Sequence, residues 1–285
     1  MRNHSRAIPS YSARLLSPFR YPGGKTWLVP LICRWLHNME PRPAEFIEPF
    51  AGGGIVGLNV AFRRLADHVI LVELDEDVAA VWKMITGKGA RRLADRIATF
   101  DFAPNSVNEV LSEIPSNLEE RAFRTILRNR VNRAGILASG AGMLKNGENG
   151  KGVKSRWYPE TLKKRILEID KMRERITFIE GDGVEVLRQN TNRGPEIMFF
   201  IDPPYTVGGK QAGRRLYKHH ELDHEGLFRV VSTLTGDFLM TYSDDEGVRE
   251  LARRYDFDIQ EIAMRSSHHV TMTELLIGRD LDWTR

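Results

Sequence analysis

Asp202-Pro203-Pro204-Tyr205 places a carboxylate, two proline carbonyls and an aromatic ring within four residues. The prolines fix the backbone and remove two donors, leaving their carbonyls as acceptors. Such a loop suits an exocyclic amine on a planar base, with two acceptors for its two N–H groups and a ring to stack on it. The apolar run Ile197-Met198-Phe199-Phe200-Ile201 stands directly before it. The loop is therefore expected at the carboxyl edge of a buried strand.

A second signal is Phe46-Ile47-Glu48-Pro49-Phe50-Ala51-Gly52-Gly53-Gly54, a short strand running into a glycine turn and then a helix. Glycines let backbone approach a ligand closely, and a helix N-terminus offers unpaired N–H groups. Glu73 ends the next apolar strand about 20 residues on, where a carboxylate can accept from ribose hydroxyls. Asp75 is placed to cap the following helix. Gly181-Asp182-Gly183 ends a further strand. Asp182 either bonds an adenine amino group or caps a helix.

Other groups are less telling. Arg20-Tyr21-Pro22-Gly23-Gly24-Lys25-Thr26 looks like a phosphate loop, but Phe19 occupies the position where that pattern needs its first glycine. No buried strand precedes it, so a nucleoside triphosphatase is excluded. His219, His220, Glu221 and His224 form a polar loop with one helical pair of imidazoles, and no second carboxylate or cysteine pattern makes it a metal site. His268 and His269 beside Arg265 read as a hairpin connection or a nucleic-acid-facing turn. The single cysteine, Cys33, rules out an internal disulfide and multi-cysteine zinc sites, and fits a reducing cytoplasm. Arg2, Arg6, Arg14 and Arg20, with no acid before Glu40, read as a basic arm rather than a transit segment.

The elements that must position these groups fall in two blocks. The first predicts helices at 25–38, 53–65 and 75–86 and strands at 45–48 and 68–73. The second predicts strands near 175–180, 197–201, 237–242, 257–263 and 271–278, with helices at 183–190, 222–234 and 244–254. Unbroken apolar strands alternating with helices predict a doubly wound α/β fold carrying ligands at the strand C-termini. Residues 88–172 lie between the blocks and show no strand. Phe123, Ile126, Leu127 and Val131 fall at helical spacing there. Six glycines from Gly135 to Gly152 predict an exposed loop or hairpin.

The net charge of +4 over 285 residues conceals an asymmetry. Between Arg121 and Arg165 twelve Lys and Arg face only Glu148 and Glu160, giving +10 and leaving −6 elsewhere. A block of this kind inside an insertion suggests a polyanion partner. No apolar run approaches the roughly 18–20 residues of a membrane span.

Taken together and in this order, Arg20-Tyr-Pro-Gly-Gly-Lys25, Glu48-Pro-Phe-Ala-Gly-Gly-Gly54, Leu71-Val-Glu-Leu-Asp75 and Asp202-Pro-Pro-Tyr205 resemble the Dam-type DNA adenine-N6 methyltransferases, across residues 17–280. The resemblance implies a Rossmann-like methyltransferase sheet, with 1–87 and 173–285 forming a discontinuous catalytic domain. It makes 88–172 a mainly helical target-recognition insertion. S-adenosylmethionine is the implied cofactor. Tyr21, Lys25, Glu48, Pro49, Phe50, Gly52, Gly54, Glu73 and Asp182 match cofactor contacts, Glu73 standing where the family usually has Asp. Asp202, Pro203, Pro204 and Tyr205 match the catalytic loop. Arg124, Arg128, Asn132, Arg133, Lys145, Lys151, Lys154 and Arg156 are the expected DNA contacts.

The implied reaction is direct transfer of a methyl group to N6 of an adenine flipped out of duplex DNA, with Tyr205 stacking on the base. Asp202 and the Pro203 carbonyl would accept the two N–H bonds and stabilise charge developing on a weak nucleophile held about 3–3.5 Å from the methyl. Asp202 would take the proton, directly or by relay. No metal is implied. Cytosine-N4 or RNA adenine methylation, or a non-catalytic DNA-binding protein on the same fold, are the competing readings. The expected setting is a bacterial cytoplasm, with a bacterial, phage or plasmid gene. The expected partner is double-stranded DNA, bound by a monomer or by a dimer on DNA.

Overall fold

The computed structural model describes residues 11–138, 141–144, 152–204, 221–265 and 271–285. Its centre is a seven-stranded sheet of order β3-β2-β1-β4-β5-β7-β6. The strands are β1 (Glu45–Glu48), β2 (His68–Glu73), β3 (Ile176–Glu180), β4 (Ile197–Ile201), β5 (Phe238–Ser243), β6 (Asp258–Arg265) and β7 (Thr271–Gly278). The first five are parallel, and β7 pairs antiparallel with both β5 and β6. The order reverses beside β1, which lies between β2 and β4. In open α/β sheets such a switch point opens a crevice at the carboxyl ends of the strands.

The apolar runs form these strands because both faces are covered. Every residue of β4 is buried, as are the first five of β5. One buried cluster packs α1 (Val29–His37), α2 (Ile55–Arg63) and α3 (Glu76–Thr86) on one face. The other face is covered by α8 (Gly183–Gln189), α9 (His224–Ser232) and α10 (Glu246–Arg254). The first helix begins at Val29 rather than 25, because Lys25–Leu28 forms a turn with Leu28 N–H on the Lys25 carbonyl. The second begins at Ile55, since Gly54 is left-handed.

Residues 88–172 hold α4 (Ala90–Thr99), α5 (Pro104–Ser112), α6 (Leu118–Val131) and α7 (Pro159–Asp170). The apolar face read from Phe123, Ile126, Leu127 and Val131 is buried in the same cluster as Trp82 and Leu93. After α6, Asn132 forms an isolated antiparallel bridge with Met143. Gly135 departs from the expected exposed loop. It is buried and left-handed (φ +76°), and a Cβ on it would lie 2.1 Å from the Arg20 carbonyl.

Asn129 of α6 explains that contact. Its Oδ1 accepts from Arg20 N–H (2.9 Å), while its Nδ2 donates to the carbonyls of Arg20 (3.0 Å) and Gly135 (2.7 Å). One fully buried amide thus ties the N-terminal loop to the helical insertion. Buried polar groups are retained when all their bonds are made, as here.

Candidate active site

The glycine turn after β1 is shaped by what crowds it. Gly52 and Gly54 both have positive φ (48° and 59°), a conformation that favours glycine. A Cβ on Gly52 would lie 2.5 Å from the Tyr21 ring, and one on Gly54 2.9 Å from Trp82. Trp82 Nε1 also donates to the Gly52 carbonyl (2.9 Å). The turn therefore lies between an aromatic from the N-terminal loop and one from α3, leaving backbone to face the cavity.

Four carboxylates hold the sheet edge around this turn. Glu73 accepts from Gly52 N–H through Oε2 and from Asp75 N–H through Oε1, both at 2.9 Å. Burial, only partly offset by these bonds, pushes its pKa up to about 7. Glu48 is buried at the end of β1, with Oε2 accepting from Gly57 N–H (2.7 Å). Burial raises it to about 8, and the negative charge of Asp202 adds to the rise. Asp182 caps α8 through Val184 N–H (2.7 Å) while lining the cavity, and Asp75 caps α3 through Asp77 N–H (2.8 Å).

Asp202 emerges where β4 ends. Ile201 pairs with Met240 of β5, so the next residues, Asp202 and Thr241, lie side by side. Thr241 Oγ1 donates to Asp202 Oδ1 (2.8 Å), and Lys25 Nζ lies 2.9 Å from the same oxygen. Lys25 is 3% exposed, and its ammonium also donates to the Gly23 carbonyl (3.0 Å) and lies 3.6 Å from Glu274 Oε2. Glu274 pairs across β7 with Ser243, two residues from Thr241 and so on the same face of the sheet. A buried cation is tenable here because two carboxylates and a carbonyl surround it. Behind Asp202, buried Tyr242 has its hydroxyl 2.9 Å from His224 Nδ1. Burial holds Tyr242 well above its ordinary pKa and His224 below its own.

These groups open into one cavity. Tyr21, Lys25, Glu48, Pro49, Phe50, Gly52, Gly54, Glu73, Asp182, Asp202 and Pro204 all line it, whereas Pro203 is buried behind the loop. Tyr205 lies outside the described residues. Sequence reasoning missed Thr241, Glu274 and Arg165, the last of which also lines the cavity. Thr241 carried only a weak signal, a hydroxyl near the end of a predicted strand whose neighbour the sequence does not give. Glu274 and Arg165 carried none.

The expected DNA contacts divide. Arg133 and Lys154 are exposed, and Arg156 is half-buried. Arg124 donates to the Leu111 carbonyl at the end of α5 (3.0 Å), and Arg128 lies 3.5 Å from Asp77 Oδ2. Asn132 is buried, donating to the Ile136 carbonyl (2.7 Å). Lys145 and Lys151, like His219, His220, His268 and His269, fall outside the described residues.

A doubly wound sheet with a glycine turn, a buried acid ending the next strand and an Asp-Pro-Pro loop at one edge has the Rossmann-like methyltransferase architecture. The chain belongs to the D12 class N6 adenine-specific DNA methyltransferase family, whose family model matches residues 21–267. It is 24% identical over 270 residues to the DNA N-6-adenine-methyltransferase of Escherichia phage P1. That match covers 88% of this chain but 33% of the phage protein, so the chain spans about a third of its relative's length. Similar solved structures include an rRNA methyltransferase of Streptomyces viridochromogenes (13% identity, TM-score 0.38, covering 96% of this chain and 88% of that one). An rRNA methylase of Streptococcus thermophilus is also similar (12% identity, TM-score 0.38, covering 89% and 96%). Among the described residues no helix is long and apolar enough to cross a membrane.

Proposed function

We propose that this chain is a site-specific DNA methyltransferase that methylates N6 of an adenine flipped out of duplex DNA, using S-adenosylmethionine. The observation that carries the reading is Asp202, held at the end of β4 and opening into the same cavity as the glycine turn and Glu73.

The residues present fit such a cofactor. Crowding by Tyr21 and Trp82 leaves bare backbone at Gly52 and Gly54, where a flat, elongated ligand can lie close. The Glu73 carboxyl keeps acceptor capacity beyond its backbone bonds, suited to ribose hydroxyls. Asp182 stands one strand further out, in place for the adenine end. When bound, the cofactor supplies an electrophilic methyl group.

The protein's own work centres on Asp202. Lys25 and Thr241 hold Oδ1, which fixes the carboxylate plane and keeps the group an acceptor. A carboxylate so held accepts an N–H bond of the target amine, whereas Pro203 is buried and does not line the cavity. The carboxylate thereby offsets positive charge developing on the nitrogen and is placed to take its proton. Because no base inside a duplex reaches this depth, the target must leave the helix. Exposed Arg133 and Lys154 would meet phosphates, with Arg156, Lys145 and Lys151 their neighbours in sequence.

The test is to incubate the protein with methyl-labelled S-adenosylmethionine and duplex DNA and to identify the labelled base. N6-methyladenine in one sequence context is expected. Label on cytosine, on RNA in preference to DNA, or on no nucleic acid would contradict the reading.

A further inference from the structure

One wall of the cavity is not used by the chemistry above. Ser17 lies against the glycine turn, with its Oγ 3.2 Å from where a Cβ on Gly53 would stand. Arg165 of α7 donates from Nη1 to the Ser17 carbonyl (3.0 Å) and lines the cavity half-buried. Next to it, buried Arg130 of α6 donates to the Pro18 carbonyl, and its Nε has no hydrogen-bond partner. Among the described residues neither guanidinium has an acidic partner. Burial first, and then the positive charges of Arg165 and Arg20, press against the charged form of Arg130.

Gathering cations in a partly desolvated wall is costly unless an anion completes it. Lys25 does not meet that need, since Asp202 and Glu274 already surround its ammonium. The order of groups along the sheet edge says which anion fits. Asp182 follows β3, Glu73 ends β2, the glycine turn follows β1 and Asp202 follows β4. A cofactor with adenine at Asp182, ribose at Glu73 and its methyl toward Asp202 has its amino-acid arm left to place. The free wall is the one built by Ser17, Tyr21 and Arg165. We infer that Arg165 binds the carboxylate of the cofactor's amino-acid arm, an inference that rests on the cofactor reading above. A guanidinium matches a carboxylate with paired N–H donors, and Arg165 keeps several beyond the one on Ser17. A DNA phosphate is the weaker candidate, because Arg165 faces the cavity and Arg130 is buried beneath the loop.

The experiment compares two nucleosides by calorimetry, S-adenosylhomocysteine and S-adenosyl-3-thiopropylamine, which differ only in the carboxylate. The unaltered protein should favour the first by about tenfold or more. Arg165→Gln should abolish that preference by weakening the first alone, and Arg165→Lys should keep part of it, with melting temperatures confirming that both variants fold. Equal weakening of both nucleosides in the two variants would make Arg165 a packing residue and overturn the inference. Unchanged nucleoside affinities with weaker duplex binding would assign it to phosphate instead, again overturning it. If the unaltered protein binds neither nucleoside, the cofactor reading itself falls, and this inference with it.

Discussion

Lys25 Nζ lies 2.9 Å from Asp202 Oδ1, joining the N-terminal loop to the end of β4. The resemblance assigns Lys25 to the cofactor, yet its ammonium is set between Asp202 and Glu274. Its charge therefore acts on the carboxylate proposed to meet the target amine. Lys25→Met should lower the methylation rate by about a hundredfold or more, given the few kcal/mol a buried charge pair contributes. The affinity for S-adenosylhomocysteine, measured by calorimetry, should change far less than the rate. An unchanged rate, or an equal loss of nucleoside affinity, would place Lys25 outside this role.

Thr241 offers a milder perturbation of the same oxygen. Thr241→Val keeps the shape and removes one hydrogen bond to Asp202 Oδ1. Losing such a bond costs about 1–3 kcal/mol, or roughly tenfold to a hundredfold in rate. The fall should appear in kcat, with S-adenosylhomocysteine affinity unchanged by calorimetry. Equal losses in both would make Thr241 merely structural.

Glu48 predicts how stability depends on pH. Its carboxyl is raised from an ordinary value of 4.5 to about 8 in the folded chain. The unfolded chain therefore ionises first, and the folded state loses stability as pH rises from about 4.5 to about 8. Glu48→Gln keeps an acceptor for Gly57 N–H and has no such liability. Melting temperatures should fall between pH 5 and pH 9 by less in Glu48→Gln than in the unaltered protein. Parallel curves would exclude Glu48 as a titrating group.

The basic insertion contains two kinds of cation. Lys154 and Arg133 are exposed, whereas Arg124 bonds a helix end and Arg128 lies near Asp77. Lys154→Ala and Arg133→Ala should weaken duplex binding and reduce its salt dependence, each by about one unit of slope. Arg124→Ala should act mainly through the melting temperature. Salt titrations unchanged in the first two variants would place the DNA path elsewhere.

The strands that carry the site are legible in the amino-acid sequence. β1, β2 and β4 lie on the residues their apolar runs predict, because strands buried on both faces read as continuous hydrophobic stretches. The glycine turn and Asp202 are visible because their chemistry is local. Thr241 and Glu274 are not, because nothing nearby in sequence says that β5 lies beside β4 or that β7 returns antiparallel. Asn129 is hidden for a related reason: as part of a helical period it gives no sign that it holds the Arg20 backbone. Separation into basic and acidic regions is readable, but the division of the basic residues between packing and exposure is not.

The role proposed for Asp202 is to act on the target amine rather than on the cofactor. It is tested most directly by Asp202→Ala, measuring N6-methyladenine formed in duplex DNA alongside S-adenosylhomocysteine affinity. No methylated adenine is expected, with an affinity within about threefold of the unaltered protein, the pair reporting chemistry and binding separately. Retained methylation, or loss of nucleoside binding in a folded variant, would contradict it.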